Sequence, residues 1–283
     1  MEVKALAKLN LTLDVLGKRP DGYHDLKMVM QSITLCDDIT VEDNGGQGIR
    51  VSSNLGFLPT NEKNLAVAAA LRFYESLGKE ARSVDLSLEK SIPVCAGMAG
   101  GSSDAAAVLR ALNGMEGNPY TPIELAKVGE KVGSDVPYCV LGTTALAEGR
   151  GEVLTTLPSL PKCWVVVCKP DFPVSTPELF GKIDRCKVRC RPDTAGMLRA
   201  LEQGDLKGVA CRMYNVFEDV LPPRQRSRVQ DIKTTLIQNG ALGANMSGTG
   251  PTAFGLFLDE EAAKGAYAEL KEQYQETYLA QTV

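Results

Sequence analysis

Histidine is nearly absent: His24 is the only one in 283 residues. A zinc site built from Cys and His therefore lacks its nitrogen ligands. A Ser-His-Asp or Cys-His hydrolase would have to be built on His24, and no GxSxG elbow accompanies it. The eight cysteines include no CxxC pair, and the closest spacings are Cys163/Cys168 and Cys186/Cys190. They read as buried or half-buried thiols of a reducing compartment, not as a disulfide frame. Basic excess is absent as well: 31 Lys and Arg against 35 Asp and Glu leave a net charge of −4. That argues against a nucleic-acid partner, and the one basic run, KVRCR (Lys187 to Arg191), is short enough to be a solvated loop. No apolar run approaches the roughly 20 residues that span a bilayer. The first residues lack the charged, apolar and small-residue zones of a signal peptide. The expectation is a cytoplasmic protein with no membrane and no nucleic-acid partner.

What is present is globular material, 44% hydrophobic and 23% charged, long enough for a sizeable core in one or two domains. In VKALAKLNLTLDV, Val3, Ala5, Ala7, Leu9, Leu11, Leu13 and Val15 share one face. Lys4, Lys8, Asn10, Thr12 and Asp14 share the other, which is the period of a strand. RPDG (Arg19 to Gly22) signals a turn. DDITVED and VDLSLEK read as strands, and Asn64 to Gly78 reads as a helix capped by Asn64 and stopped by Gly78. Thr121, Pro122 and Glu124 form a capping box for a helix ending near Gly133. ALAEGRGEVLTTL looks extended, and LPSLP (Leu157 to Pro161) is the best linker. Beyond it the pattern predicts a strand at CWVVVC, a short helix capped at Ser175 or Thr176, and two or three helices between Thr194 and Asn239. A strand near Leu242, a loop NMSGTGPT, a strand AFGLFL, a helix from Asp259 to Gln273 and a last extended piece follow. Helices and strands mix without regular βαβ alternation, so the expected class is α+β.

One stretch stands apart: PVCAGMAGGSSD, Pro93 to Asp104, runs directly into AAAVLRALN. Its glycines permit tight turns and close approach of backbone to a ligand. Ser102, Ser103 and Asp104 are N-cap types, and Ala105, Val108, Leu109 and Leu112 keep the spacing of a buried helix face. A glycine loop ending on a helix N-terminus suits phosphate; a tight turn with an ordinary cap would look the same. The stretch is neither a Walker A loop, which needs Lys-Ser/Thr at the helix start, nor a GxGxxG fingerprint.

Taken together, AKLNLTLDV, GYHDL, PxxxGMAGGSSDAA, GSDVPYC, ALAEGRGE and NMSGTGPT, in this order, resemble the GHMP kinase superfamily. AKLNLTLDVLGKRPDGYHDL and GSDVPYC are similar to its members that act on a cytidine diphosphate-linked methylerythritol in the non-mevalonate isoprenoid pathway. The resemblance implies an α+β, two-domain GHMP kinase fold, with an N-terminal ATP-binding domain at 1–156 and a C-terminal α/β-sandwich domain at 157–283. It implies ATP and Mg²⁺ as cofactors, with no metal ligand assigned, and a monomer or weak homodimer. Phosphoryl transfer to an alcohol needs a proton acceptor and charge stabilisation, and the resemblance gives those roles to Asp135 and Lys8. Pro93, Val94, Cys95, Ala96, Gly97, Met98, Ala99, Gly100, Gly101, Ser102 and Ser103 would wrap the triphosphate, with Asn64 and Lys90 flanking adenine and ribose. Tyr23, His24 and Phe180 would hold the cytosine, and Asn10 and Thr176 would add substrate contacts. Ser247 to Gly250 would pack beside the phosphate loop. Ala99 stands where the family usually has glycine, which removes conformational freedom at one loop position. A homoserine or mevalonate type of kinase, or a catalytically silent nucleotide-binding member, stays open as an alternative. GYHDL and Phe180 argue against the first, and Lys8 with Asp135 against the second.

Overall fold

The computed structural model describes residues 1–186, 188 and 190–283; Lys187 and Arg189 of the KVRCR run lie outside them. The chain forms two compact units, each discontinuous in sequence. One comprises residues 1–7, 36–94 and 99–142, the other residues 8–35, 95–98 and 143–283. Two long strands, β1 (Glu2–Lys18) and β2 (His24–Asp43), contribute residues to both.

In the first unit the later half of β2 pairs antiparallel with β4 (Val84–Glu89), Asp38 opposite Glu89, and β3 (Arg50–Ser53) pairs parallel with β4. Four helices accompany them: α1 (Leu65–Ser76), α2 (Gly100–Met115), α3 (Pro122–Glu130) and α4 (Val136–Leu141). Asn64 caps α1 by accepting from the Ala66 N–H, and the Thr121/Glu124 capping box closes the start of α3. On α2 the predicted face Ala105, Val108, Leu109 and Leu112 is fully buried. The start of α2 differs from expectation. It begins at Gly100 after a left-handed Ala99, without a side-chain cap, so Ser102, Ser103 and Asp104 lie inside the helix, Ser103 bonded to the Leu6 carbonyl and Asp104 to Lys90.

In the second unit β2 pairs antiparallel with β5 (Thr144–Gly149), which pairs with β6 (Val153–Thr156). A second sheet orders its strands β11-β7-β10-β9, all antiparallel, from β7 (Trp164–Cys168), β9 (Gly243–Met246), β10 (Ala253–Phe257) and β11 (Thr277–Gln281). The helices are α5 (Thr176–Ile183), α6 (Thr194–Glu202), α7 (Leu206–Ala210), α8 (Pro223–Gln238) and α9 (Glu260–Gln273), of which α8 and α9 pack on that sheet. The two-residue strand β8 (Tyr214–Asn215), parallel to β1, and a 3₁₀ turn at Val216–Val220 precede α8. The α+β class holds.

On the polar face of β1, Lys4 is exposed while Lys8, Asn10, Thr12 and Asp14 are all buried. One expectation needs correction. Cys36, Cys139, Cys163 and Cys168 are buried or half-buried thiols as expected, but Cys95, Cys186, Cys190 and Cys211 are exposed.

Candidate active site

The site begins with backbone. Cys95, Gly97 and Ala99 carry positive φ of 54°, 75° and 59°, and the residues between them do not. Alternating hands along a short stretch turn successive N–H groups toward one concave side, the geometry of an anion-binding nest. In sequence the nest leads directly into the 16-residue helix α2, whose first N–H groups and dipole favour negative charge. Of the helix start, Ser103 is buried and its Oγ donates to the Leu6 carbonyl.

Within the second unit the loop, β1 and the second glycine loop meet. The Lys8 N–H donates to the Met98 carbonyl at 3.2 Å, and Lys8 Nζ donates to Asn10 Oδ1 at 2.7 Å. The same Oδ1 accepts the Gly248 N–H at 3.0 Å. Ser247 Oγ takes the Asn10 N–H at 3.2 Å and donates to the Gly97 carbonyl at 2.9 Å. No side chain fits at this junction. A Cβ on Gly97 would stand 2.1 Å from the Ser247 carbonyl oxygen, and one on Gly248 would stand 2.8 Å from that of Gly97. Ser247 and Gly248 therefore pack beside the phosphate loop as predicted, and Thr249 Oγ1 lies 2.9 Å from Thr176 Oγ1. Asn215, which sequence reading missed, braces the loop from behind by donating to the Met246 and Gly248 carbonyls.

A second cluster in this unit gathers two of the three residues expected at the cytosine. The His24 and Phe180 rings stack, centroids 4.5 Å apart at 24°. Phe180 is in turn held edge-on by Phe217 at 5.0 Å. His24 Nε2 donates to Asp184 Oδ1 at 2.7 Å, and that bond, with Lys18 nearby, holds the Asp184 carboxyl below its ordinary range. Asp184 has no sequence signal of its own: it follows α5 by one residue and is 160 residues from its partner. Tyr23 stands apart, 55% exposed, with the Arg150 guanidinium 5.1 Å over its ring. A cavity of about 750 Å³ lies beside Asp184, lined also by Val15, Lys18 and Ile183.

In the first unit, Asn64 and Lys90 already have structural tasks. Asn64 accepts from Ala66 N and donates to the Pro59 carbonyl. The Lys90 ammonium is buried between Asp37 and Asp104. Asp135, half-buried, precedes α4 at its N-cap position without a capping bond of its own. Among the described residues no group of three or more His, Cys, Asp or Glu could hold a metal ion. A Mg²⁺ ion carried chiefly by phosphate oxygens and water needs no such group.

Comparison with known proteins fits this geometry. Residues 64–143 match the model of the GHMP kinases N terminal domain, and residues 197–276 that of the GHMP kinases C terminal. A 4-diphosphocytidyl-2-C-methyl-D-erythritol kinase of Alkaliphilus metalliredigens is 44% identical over 282 residues, covering 100% of this chain and 96% of that protein. A crystal structure of 4-(cytidine 5'-diphospho)-2C-methyl-D-erythritol kinase superposes with a TM-score of 0.82 at 31% identity, covering 100% of this chain and 99% of the other. The homoserine kinase of Cytophaga hutchinsonii, at 18% identity, shares the fold alone, with a TM-score of 0.74 over 100% of this chain and 94% of that one. With both halves of its fold matched and relatives aligned along its whole length, the chain belongs to the GHMP kinase family, among its 4-diphosphocytidyl-2-C-methyl-D-erythritol kinases.

Proposed function

We propose that the protein transfers the γ-phosphoryl group of ATP to the 2-hydroxyl of 4-diphosphocytidyl-2-C-methyl-D-erythritol, releasing ADP. The observation that carries the reading is the built phosphate loop, a nest of alternating backbone hands delivered to the N-terminus of α2. The choice of alcohol rests on the names of the full-length relatives and on the stacked His24–Phe180 pair, a surface suited to one face of a pyrimidine.

In the reaction the substrate oxygen bonds to the γ-phosphorus while the bond to the β,γ-bridging oxygen breaks, and ADP carries that electron pair away. The alcohol proton must leave as the new bond forms, and Asp135 is assigned as its acceptor. Lys8 is assigned to the charge on the transferred group. Its ammonium is steadied by Asn10 Oδ1, so the cation is held by the same side chain that ties β1 to Gly248. The N–H groups of residues 95–102 meet the phosphates, that of Ser103 being taken by the Ala99 carbonyl. Bound Mg²⁺ would supply further charge neutralisation at the phosphates. Ser103 Oγ donates its proton to the Leu6 carbonyl and is given no role toward the ion.

ADP release measured with three alcohols tests the assignment. Turnover with the cytidine substrate and none with homoserine or mevalonate is expected. Release with either of the latter would transfer the protein to another branch of the family. No release with any alcohol would leave a nucleotide-binding protein without transfer activity.

A further inference from the structure

We propose that Asp37, Lys90 and Asp104 are positioning residues, a buried clasp across the two stems of the phosphate loop that holds it in its nucleotide-receiving shape. The proposal builds on the reading of that loop as the nucleotide's seat. Lys90 lies three residues before Pro93, and Asp104 directly follows Ser103, so the pair brackets the loop. The Lys90 ammonium donates to Asp37 Oδ2 and, at 2.6 Å, to Asp104 Oδ2, with the three side chains 4%, 0% and 5% exposed. Asp37 Oδ1 accepts the N–H groups of Ser91 and Ile92 at 2.6 and 2.7 Å. The chain entering the loop, the first turn of α2 leaving it, and β2 are thus fastened at one point. The fit continues to Gly100, where a Cβ would stand 3.2 Å from Ile92 Cγ2 and 3.5 Å from Lys90 Nζ.

Stability alone is a poor reason for such a cluster. Two carboxylates share one ammonium, and Asp104 Oδ1 is buried without any hydrogen-bond partner. Buried ions in that state cost more than a packed apolar trio would, because desolvation is only partly repaid. What the cluster does supply is geometry. Cys95 and Ala99 hold positive φ without being glycine, and strained residues of that kind persist only where the surroundings over-determine them. A loop loose at its stems would relax into ordinary backbone, and its N–H groups would cease to converge. Nucleotide binding would then be weakened by the fraction of time the loop spends misfolded.

The test compares wild type with Asp104→Ala and Asp104→Asn. It reads amide hydrogen exchange of residues 95–103 in the nucleotide-free protein, and titrations of ATP and of the cytidine substrate. In Asp104→Ala, loop exchange should accelerate about tenfold beyond any change in α1, and the Kd for ATP should rise about tenfold. The Kd for the cytidine substrate should stay within about twofold. Asp104→Asn keeps an acceptor for Lys90 and should bring both readouts back to within about threefold of wild type. Folded Asp104→Ala with wild-type loop exchange overturns the clasp, as does acceleration shared equally with α1. Should that variant not fold, Asp104→Ser, whose shorter side chain withdraws from Lys90, is read by the same criteria. Failure of the wild type to bind ATP would count against the proposed reaction, and the exchange measurement would then decide the clasp by itself.

Discussion

Ala99 holds a φ of 59° at the hinge between phosphate loop and helix, a conformation that glycine adopts without penalty and alanine does not. Ala99→Gly should relieve that strain, at some cost from a freer unfolded chain, and the two effects are each about 1 kcal/mol or less. Turnover should be unchanged and affinity for a non-hydrolysable ATP analogue should move by no more than about threefold, measured by isothermal titration. A large fall in kcat would mean that the methyl group is used. Lys8 and Asp135 present the sharper case. Asp135→Asn keeps the shape and removes the proton acceptor, so kcat should fall by about 10²–10⁴ while both substrates still bind. Lys8→Ala should lose a similar amount, and the double variant should be little worse than either, since residues acting as a unit are not additive. Single-turnover rates of the four proteins at saturating substrates decide it. Near-wild-type turnover by Asp135→Asn would remove Asp135 as the base, and additive losses would separate the two roles. The polar stripe of β1 shows where a residue-by-residue reading stops. Alternation puts Lys8, Asn10, Thr12 and Asp14 on one face of β1 without saying what covers it, and all four are buried. The loop that covers Asn10 lies more than 200 positions along the chain, at Ser247 and Gly248, and spacing in β1 carries no information about it.

Elements were legible in proportion to their periodicity. The strands β1, β4, β7 and β10 and the helices α1, α3 and α9 stand close to where alternation, caps and 3.6-residue spacing put them. The early half of β2 was not legible, because Met28 to Ile33 are buried on both faces and show no alternation. The start of α2 was misplaced for a related reason. Ser103 and Asp104 have cap chemistry, but Ser103 is drawn to Leu6 and Asp104 to Lys90, so a left-handed alanine begins the helix instead. Short α7, β8 and the 3₁₀ turn leave too few residues to show any period. The helix α5 illustrates what an element contributes to a site: it delivers Phe180 to His24 and, one residue past its end, Asp184 to the same ring. Stacking on an aromatic ring contributes about 1–3 kcal/mol per base, so Phe180→Ala should raise KM for the cytidine substrate roughly ten- to a hundredfold. ATP affinity should not change. Equal KM values in steady-state assays of the two proteins would remove Phe180 from the pyrimidine seat. A uridine analogue, which offers an acceptor where cytidine has an amino donor, should be strongly rejected if that edge is paired.

The molecule as a whole should feel Asp104 through pH. Burial pushes its carboxyl up to about 7, with Lys90 pulling against the shift and Asp37 adding to it. The folded protein therefore holds a proton that the unfolded chain, titrating near 3.9, releases earlier. Its contribution to stability is complete below about pH 4 and is lost as pH rises through about 7. Urea unfolding between these limits should show wild type losing up to about 1.4 kcal/mol per pH unit relative to Asp104→Asn, whose neutral amide has nothing to titrate. Parallel stability curves for the two proteins would contradict the raised carboxyl. The fastening of β2 has a consequence of a different kind. Val283 N donates to the Ser32 carbonyl, Gln281 N to Thr34 Oγ1, and Ile33 bridges to Thr282, so this early strand is secured by residues some 250 positions later. At about 5–20 residues per second, the ribosome delivers β1 and β2 some tens of seconds before the residues that complete their unit. Throughout that interval Leu9, Leu11, Leu13 and Val15 have no finished unit to enter. The most regular strand in the sequence is thus among the first to leave the ribosome and among the last to find its unit complete.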